Sequence, residues 1–246
     1  MSDGGDGAVV VEAHAKLTLS LRVTGVRDDG YHLLDAEMVS LDLADLLTFG
    51  PGDGLDIVGP AAGPHIGTGE DNLVRRALRA VGRTARVRLD KRIPAGGGLG
   101  GGSADAAAVL RWAGCTDLAV AAALGADVPF CLVGGRARVR GIGELLDARP
   151  AAELTDAAFT LCVPPFAVST PAVYRAWDDL GGPVADGPND LEPAALAVEP
   201  RLARWRDRLG EATGRTPVLA GSGATWWVPG AFPGDDRLVV RTWFPH

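Results

Sequence analysis

The chain has 246 residues, 47% of them hydrophobic and 22% charged, and carries a formal net charge of −7. That balance fits a globular protein with room for one large domain or two small ones. The acidic surplus speaks against a nucleic-acid partner, which calls for a basic face, and no apolar run reaches the ~18 residues of a membrane span.

The amino terminus has no basic-then-apolar leader. Residues 1–7, MSDGGDG, read as a frayed acidic tail. Strict alternation over 15–24, with Leu17, Leu19, Leu21 and Val23 opposing Thr18, Ser20, Arg22 and Thr24, predicts a half-buried antiparallel strand. A turn at RDDGYH leads to a second strand around 32–41, and residues 46–59 read as strand, Pro/Gly turn and strand. A helix follows over 71–81, with Asp71 as N-cap, Leu73, Ala77, Leu78 and Val81 on its apolar face, and Gly82 as stop.

Residues 85–93 alternate again and deliver the chain to PAGGGLGGGSADAAA (94–108), where six of the seven residues 96–102 are glycine. A helix is predicted from Ser103 to about Trp112 and another from Asp117 to Leu124, then GADVPF and a strand over 135–146. Residues 147–158 read as a linker between domains at 1–150 and 151–246. The second half offers a strand at 159–164, a helix opened by Ser169-Thr170-Pro171, helices within 190–213, and strands at 217–223, 224–228 and 237–244. Antiparallel pairs mixed with helices make the class α+β.

Each glycine in regular structure costs roughly 0.5–1 kcal/mol relative to alanine, so this density implies that something approaches the backbone closely. A Walker A loop is excluded because no lysine follows the glycines. Gly96, Gly98 and Gly101 satisfy GxGxxG, but the strand before them alternates, whereas a dinucleotide-fold strand is buried on both faces. There remains a loop that wraps a polyphosphate with bare N–H groups and feeds a helix N-terminus. Ser103 either offers its hydroxyl to a phosphate or Mg²⁺, or only caps the helix.

Of the 24 basic residues only Lys16 and Lys91 are lysines, which suits positions where a compact ammonium is wanted instead of a guanidinium fork. Cys115, Cys131 and Cys162 have no CxxC spacing or histidine partner and read as structural thiols of a reducing compartment, so the expected location is the cytoplasm.

The loop resembles the phosphate loop of the galacto-, homoserine, mevalonate and phosphomevalonate (GHMP) kinases. AKLTLSLRVTGVRDDGYH, EDNLVRRA, LDKRIP, GADVPF, VSTPAVY, PNDLEP and GSGAT follow the same order, covering about residues 13–228. They are most similar to the branch that phosphorylates a cytidylylated methylerythritol. The resemblance implies two domains: one like ribosomal protein S5 with a left-handed βαβ unit, and a ferredoxin-like α/β sandwich, here with shortened helices and C-terminal region. It implies ATP and Mg²⁺ as cofactors, a small-molecule acceptor, and a monomer or weak homodimer.

Carried over residue by residue, it gives Lys16 and Asp127 as catalytic, although Asp127 before Val128-Pro129 is also a plausible helix N-cap. Asn72, Leu73, Lys91, Pro94, Ala95, Gly96, Gly97, Gly98, Leu99, Gly100, Gly101, Gly102, Ser103 and Ala104 would contact ATP, with Ser103 also a metal ligand. Thr18, Tyr31, His32, Thr170, Tyr174, Gly221 and Ser222 would meet the acceptor, Tyr31 and Tyr174 sandwiching its base and His32 hydrogen-bonding its edge. Two departures stand out. His14 and Thr18 replace Pro and Asn in the first-strand motif, and Asp105 sets a carboxylate two residues past the loop. Two alternatives are another GHMP kinase of the homoserine or mevalonate type, and a nucleotide-binding relative without catalysis.

Overall fold

The computed structural model describes residues 8–63 and 66–245; the predicted tail at 1–7 lies outside them. Two long antiparallel strands, β1 (Val9–Val26) and β2 (His32–Gly50), dominate the first half, joined by the RDDGYH turn. β3 (Gly54–Val58) runs parallel to β4 (Arg86–Asp90), connected through α1 (Leu73–Ala80). With β5 (Arg136–Gly141) and β6 (Leu145–Ala148) these make a six-stranded sheet ordered β3-β4-β2-β5-β6, with β1 on the other edge of β2.

β1 is not the evenly alternating strand its sequence predicts. Register shifts fall between His14 and Lys16 and between Thr18 and Ser20. Leu17 stands opposite Val39 and Leu21 opposite Ala36, an odd separation along β2, so these two leucines face opposite sides of the sheet instead of the same side. The irregular stretch lets Lys16, Leu17 and Thr18 all be buried.

α1 also begins differently from expectation. Asn72, not Asp71, is the N-cap, its side-chain oxygen accepting from the Val74 N–H. Asp71 is one residue too early to reach that donor, while Gly82 ends the helix in the left-handed region as predicted.

α2 (Gly101–Trp112) packs against β1, β2, α1 and α4 (Val128–Val133), with α3 (Leu118–Leu124) alongside. Residues 104–110 of α2 are all buried, five of them alanine or valine, so the helix sits close to its neighbours on every side. Aromatic partners close the rim, Phe49 stacking on Trp112 at 4.5 Å.

β7 (Ala158–Cys162), α5 (Thr170–Asp179), α6 (Glu192–Val198), α7 (Leu202–Thr213), β8 (Val218–Leu219), β9 (Trp226–Pro229) and β10 (Leu238–Arg241) follow. Their sheet is antiparallel with order β10-β7-β9-β8, the first strand flanked by the last and the third. Residues 230–237, between β9 and β10, contain no helix. The predicted linker at 147–158 begins as the end of β6, because Ala148 still pairs with Ala137.

Contacts between the first half and the second include the following. The Leu21 N–H donates to Pro188 O at 2.8 Å and the Asp190 N–H to Leu21 O at 2.9 Å. Arg22 reaches the buried Asp190 at 2.6 Å, and the Trp243 N–H bonds Ser40 O at 2.8 Å. Cys115, Cys131 and Cys162 are free thiols, and burial pushes Cys131 up to about 12. Among the described residues no helix is long and apolar enough to cross a membrane.

Candidate active site

The glycine loop leaves β4 through a short connection and enters α2 at Gly100, the actual N-cap, which adopts φ +70°. Ser103, one alternative cap from the sequence, instead lies inside the first turn, and α2 has no side-chain cap. The N–H groups of Gly101, Gly102 and Ser103 are therefore the first-turn donors without intrahelical acceptors, while Ala104 is buried and its N–H is committed to Gly100 O.

Gly96, Gly98 and Gly100 are required by their surroundings as well as by φ. A Cβ on Gly98 (φ +76°) would stand 2.3 Å from Ala220 O, and one on Gly100 would stand 2.7 Å from Lys16 Cγ. The loop is thus pressed between the stem of Lys16 and the second glycine turn, and the Thr225 N–H donates to Gly97 O at 3.2 Å. Residues 94–102, Asn72, Leu73 and Lys91 line one cavity of about 180 Å³, joined by Ile66 and Asp105. Asn72 spends its side chain locally, on the Val74 N–H and on Gly67 O.

Lys91 is not a free cation. It is buried between Asp45 and Asp105, donating to both, at 2.8 Å to the latter. Asp45 also accepts the Ile93 N–H at 2.8 Å, which ties the cluster to the strand end leading into the loop. Burial draws Lys91 down, but the two carboxylates outweigh it and hold the ammonium above its ordinary value. Burial, only partly offset by Lys91, pushes Asp105 up to about 7. Its second oxygen, Oδ1, has no hydrogen-bond partner.

Asp127 stands at the N-cap position of α4, as the alternative reading expects, and its carbonyl accepts the Cys131 N–H at 3.0 Å, but its side chain makes no capping bond. Its Oδ2 lies 3.3 Å from Lys16 Nζ, which also donates to Thr18 Oγ1 at 3.1 Å. The Lys16 side chain is 6% exposed against 32% for Asp127, so the carboxylate faces open space while the ammonium is enclosed. A Cβ on Gly221 would lie 3.6 Å from both Lys16 Nζ and Thr18 Oγ1, and Ser222 Oγ is 2.7 Å from Thr170 Oγ1. Residues of four distant segments thus converge beside the loop. Burial, then the Asp127 carboxylate, raises the Tyr174 phenol above its ordinary value.

Tyr31, His32, Thr170 and Tyr174 line a second cavity of about 650 Å³. Here His32, not Tyr31, packs on Tyr174, at 4.6 Å between centroids and 32°. Tyr31 stands 60% exposed at the mouth. Sequence reasoning missed Arg76, Arg175 and Asp178 in this cavity, which carry no motif of their own. It also left Asn189 without a role; its amide donates to Leu219 O and Gly221 O and so shapes the second glycine turn.

Among the described residues no group of three or more His, Cys, Asp or Glu could hold a metal. Among the described residues Ser103 Oγ makes no hydrogen bond, and it is not sealed from solvent, so a hydroxyl is available at the loop. One hydroxyl suits a Mg²⁺ that keeps waters and takes its other oxygens from a nucleotide.

A loop of bare amides, a helix end behind it and an ammonium–carboxylate pair in front define a small-molecule kinase of the GHMP class, and the family model "GHMP kinases N terminal domain" matches residues 72–135. The chain is 43% identical over 232 residues to a 4-diphosphocytidyl-2-C-methyl-D-erythritol kinase of Paracoccus denitrificans (strain Pd 1222), covering 87% of this chain and 84% of that one. It is 41% identical over 258 residues to the protein of that name from Ruegeria pomeroyi, covering 94% and 91%. A crystal structure titled 4-(cytidine 5'-diphospho)-2C-methyl-D-erythritol kinase superposes with a TM-score of 0.71 at 35% identity, covering 89% of each chain. The chain belongs to the 4-diphosphocytidyl-2-C-methyl-D-erythritol kinase family and is an ATP-dependent kinase.

Proposed function

We propose that this chain transfers the γ-phosphoryl group of ATP to the 2-hydroxyl of 4-diphosphocytidyl-2-C-methyl-D-erythritol, the acceptor in its relatives' names. Residues 1–150 form the nucleotide-binding domain in this reading and residues 151–246 close the acceptor side. The observation that carries it is the Lys16–Asp127 pair, 3.3 Å apart, set against the glycine loop at Gly100.

Phosphoryl transfer needs in-line positioning, neutralised phosphate charge and a group to take the hydroxyl proton. The N–H groups of residues 96–103 and the positive end of α2 would hold the β- and γ-phosphates. Asp127 would accept the hydroxyl proton, and Lys16 would stabilise charge on the transferring group. Thr18 would keep the Lys16 ammonium aimed at Asp127 through the bond from Nζ to its Oγ1. Ser103 would hold Mg²⁺, which when bound neutralises phosphate charge. Tyr31, His32 and Tyr174 would receive the cytosine ring in the larger cavity, with Thr170, Gly221 and Ser222 between it and the reacting hydroxyl.

A coupled ADP-release assay tests the acceptor. Turnover with cytidylylated methylerythritol and none with homoserine or mevalonate supports the reading; turnover with either of the others overturns it.

A further inference from the structure

His32 enters the larger cavity with its ring held on three sides, all from one face of α5. Its Nε2 lies 2.8 Å from Asp178 Oδ1, its plane tilts onto Tyr174, and Trp177 meets it edge-on at 5.6 Å. The spacing of Tyr174, Trp177 and Asp178, three and four residues apart, puts them on one helix face. The His32 side chain is 10% exposed, and among the described residues its Nδ1 has no partner, nor is it sealed from solvent.

An ionised carboxylate only accepts hydrogen bonds, so a neutral imidazole bonded to it must carry its proton on Nε2. The Nδ1 atom is then a bare lone pair at the cavity wall. The resemblance already implies that His32 bonds the edge of the acceptor's base; we propose that Asp178 is a positioning residue that fixes this tautomer, so that Nδ1 is the accepting atom in that bond and an amino-bearing pyrimidine is preferred over its carbonyl counterpart. This rests on the reading that the acceptor carries cytosine. The 4-amino group of cytosine donates to such a lone pair. The 4-carbonyl of uracil would set lone pair against lone pair, a rejection built into the pocket. Without Asp178 the imidazole is free to move its proton to Nδ1, where it would favour the carbonyl.

Histidine ¹⁵N NMR on the ligand-free enzyme, with the His32 signals assigned from His32→Gln, reads the tautomer directly. The wild type is expected in the Nε2-protonated form and Asp178→Ala in a mixture; Asp178→Asn, which keeps an acceptor oxygen, should restore part of the wild-type signal. In parallel, kcat/KM for cytidylylated methylerythritol relative to its uridine analogue should fall about 10-fold in Asp178→Ala, with KM for ATP unchanged. Asp178 has an exposed side chain, so folding should survive, and a purely structural role would move neither the tautomer nor the base preference. An Asp178→Ala enzyme with the wild-type tautomer, or with wild-type base preference, overturns the proposal. If the wild type phosphorylates neither nucleotide compound, the acceptor reading fails, while the NMR signal still decides the role of Asp178.

Discussion

Lys16 and Asp127, one from an irregular stretch of β1 and the other from the start of α4, bring an ammonium and a carboxylate to 3.3 Å beside the glycine loop. The Lys16 N–H donates to Leu99 O at 3.0 Å, so the backbone of β1 and the loop are tied together at the same place. Replacing Lys16 with Met keeps the stem that packs on Gly100 and deletes only the charge. On the proposed mechanism kcat falls roughly 10²–10³-fold, the cost typical of losing one donor to developing charge, while thermal stability changes little. Steady-state kinetics with a melting curve check both halves.

The loop glycines give a prediction about backbone rather than side chains. Gly98→Ala places a methyl group against Ala220 O and forces an L-residue to φ +76°. The strain at such a position is of order 1–3 kcal/mol. The variant should lose that much stability and raise KM for ATP, because the loop must move away from the second glycine turn to make room. Calorimetry and an ATP titration measure the two effects.

Asp105 makes stability depend on pH in an unusual sense for a carboxylate. It is pushed up to about 7 in the folded chain against an ordinary 3.8, so between those values the native state keeps a proton that the unfolded chain has released. Unfolding then releases a proton, and stability falls as pH rises through that window. Asp105→Asn removes the dependence while leaving Lys91 its bond to Asp45. The difference in melting temperature between pH 5 and pH 8 should shrink in the variant; an undiminished difference would show that Asp105 is ordinary.

Lys91 offers a contrast with Lys16. Lys91→Met would leave Asp45 and Asp105 buried together without their cation, and breaking a buried pair in this way costs about 3–5 kcal/mol. The loss should therefore appear first in chemical denaturation and only secondarily in ATP affinity. A stable Lys91→Met protein with lost ATP binding would mean that Lys91 acts on the nucleotide directly.

Much of this architecture was legible in the sequence because local signals and tertiary demands agreed. The alanine run of α2, the extent of α3 as far as Leu124 and the Gly82 stop of α1 are all set within one or two turns of helix, so pattern alone located them. The lysine pair stood out against an arginine-rich background. Other features depended on partners far along the chain. The register shifts in β1 depend on how β2 and the loop close over Lys16, so alternation could not reveal that Leu17 and Leu21 diverge. Lys91, expected to contact the nucleotide, is also bound by Asp45, far back on β2, a partner that no local spacing reveals. Asp178 and Asn189 belong to no spacing rule; their roles arise from packing of α5 against the Tyr31–His32 turn and of the 188–190 segment against the second glycine turn.

In the proposed mechanism Asp127 takes the acceptor's proton at a site where ATP is held independently of it. Single-turnover phosphoryl transfer by Asp127→Asn, measured with the ATP dissociation constant of the same variant, tests it most directly. The account predicts a rate reduced roughly 10²–10⁴-fold with ATP binding near the wild-type value. A variant that transfers phosphoryl at the wild-type rate would contradict it.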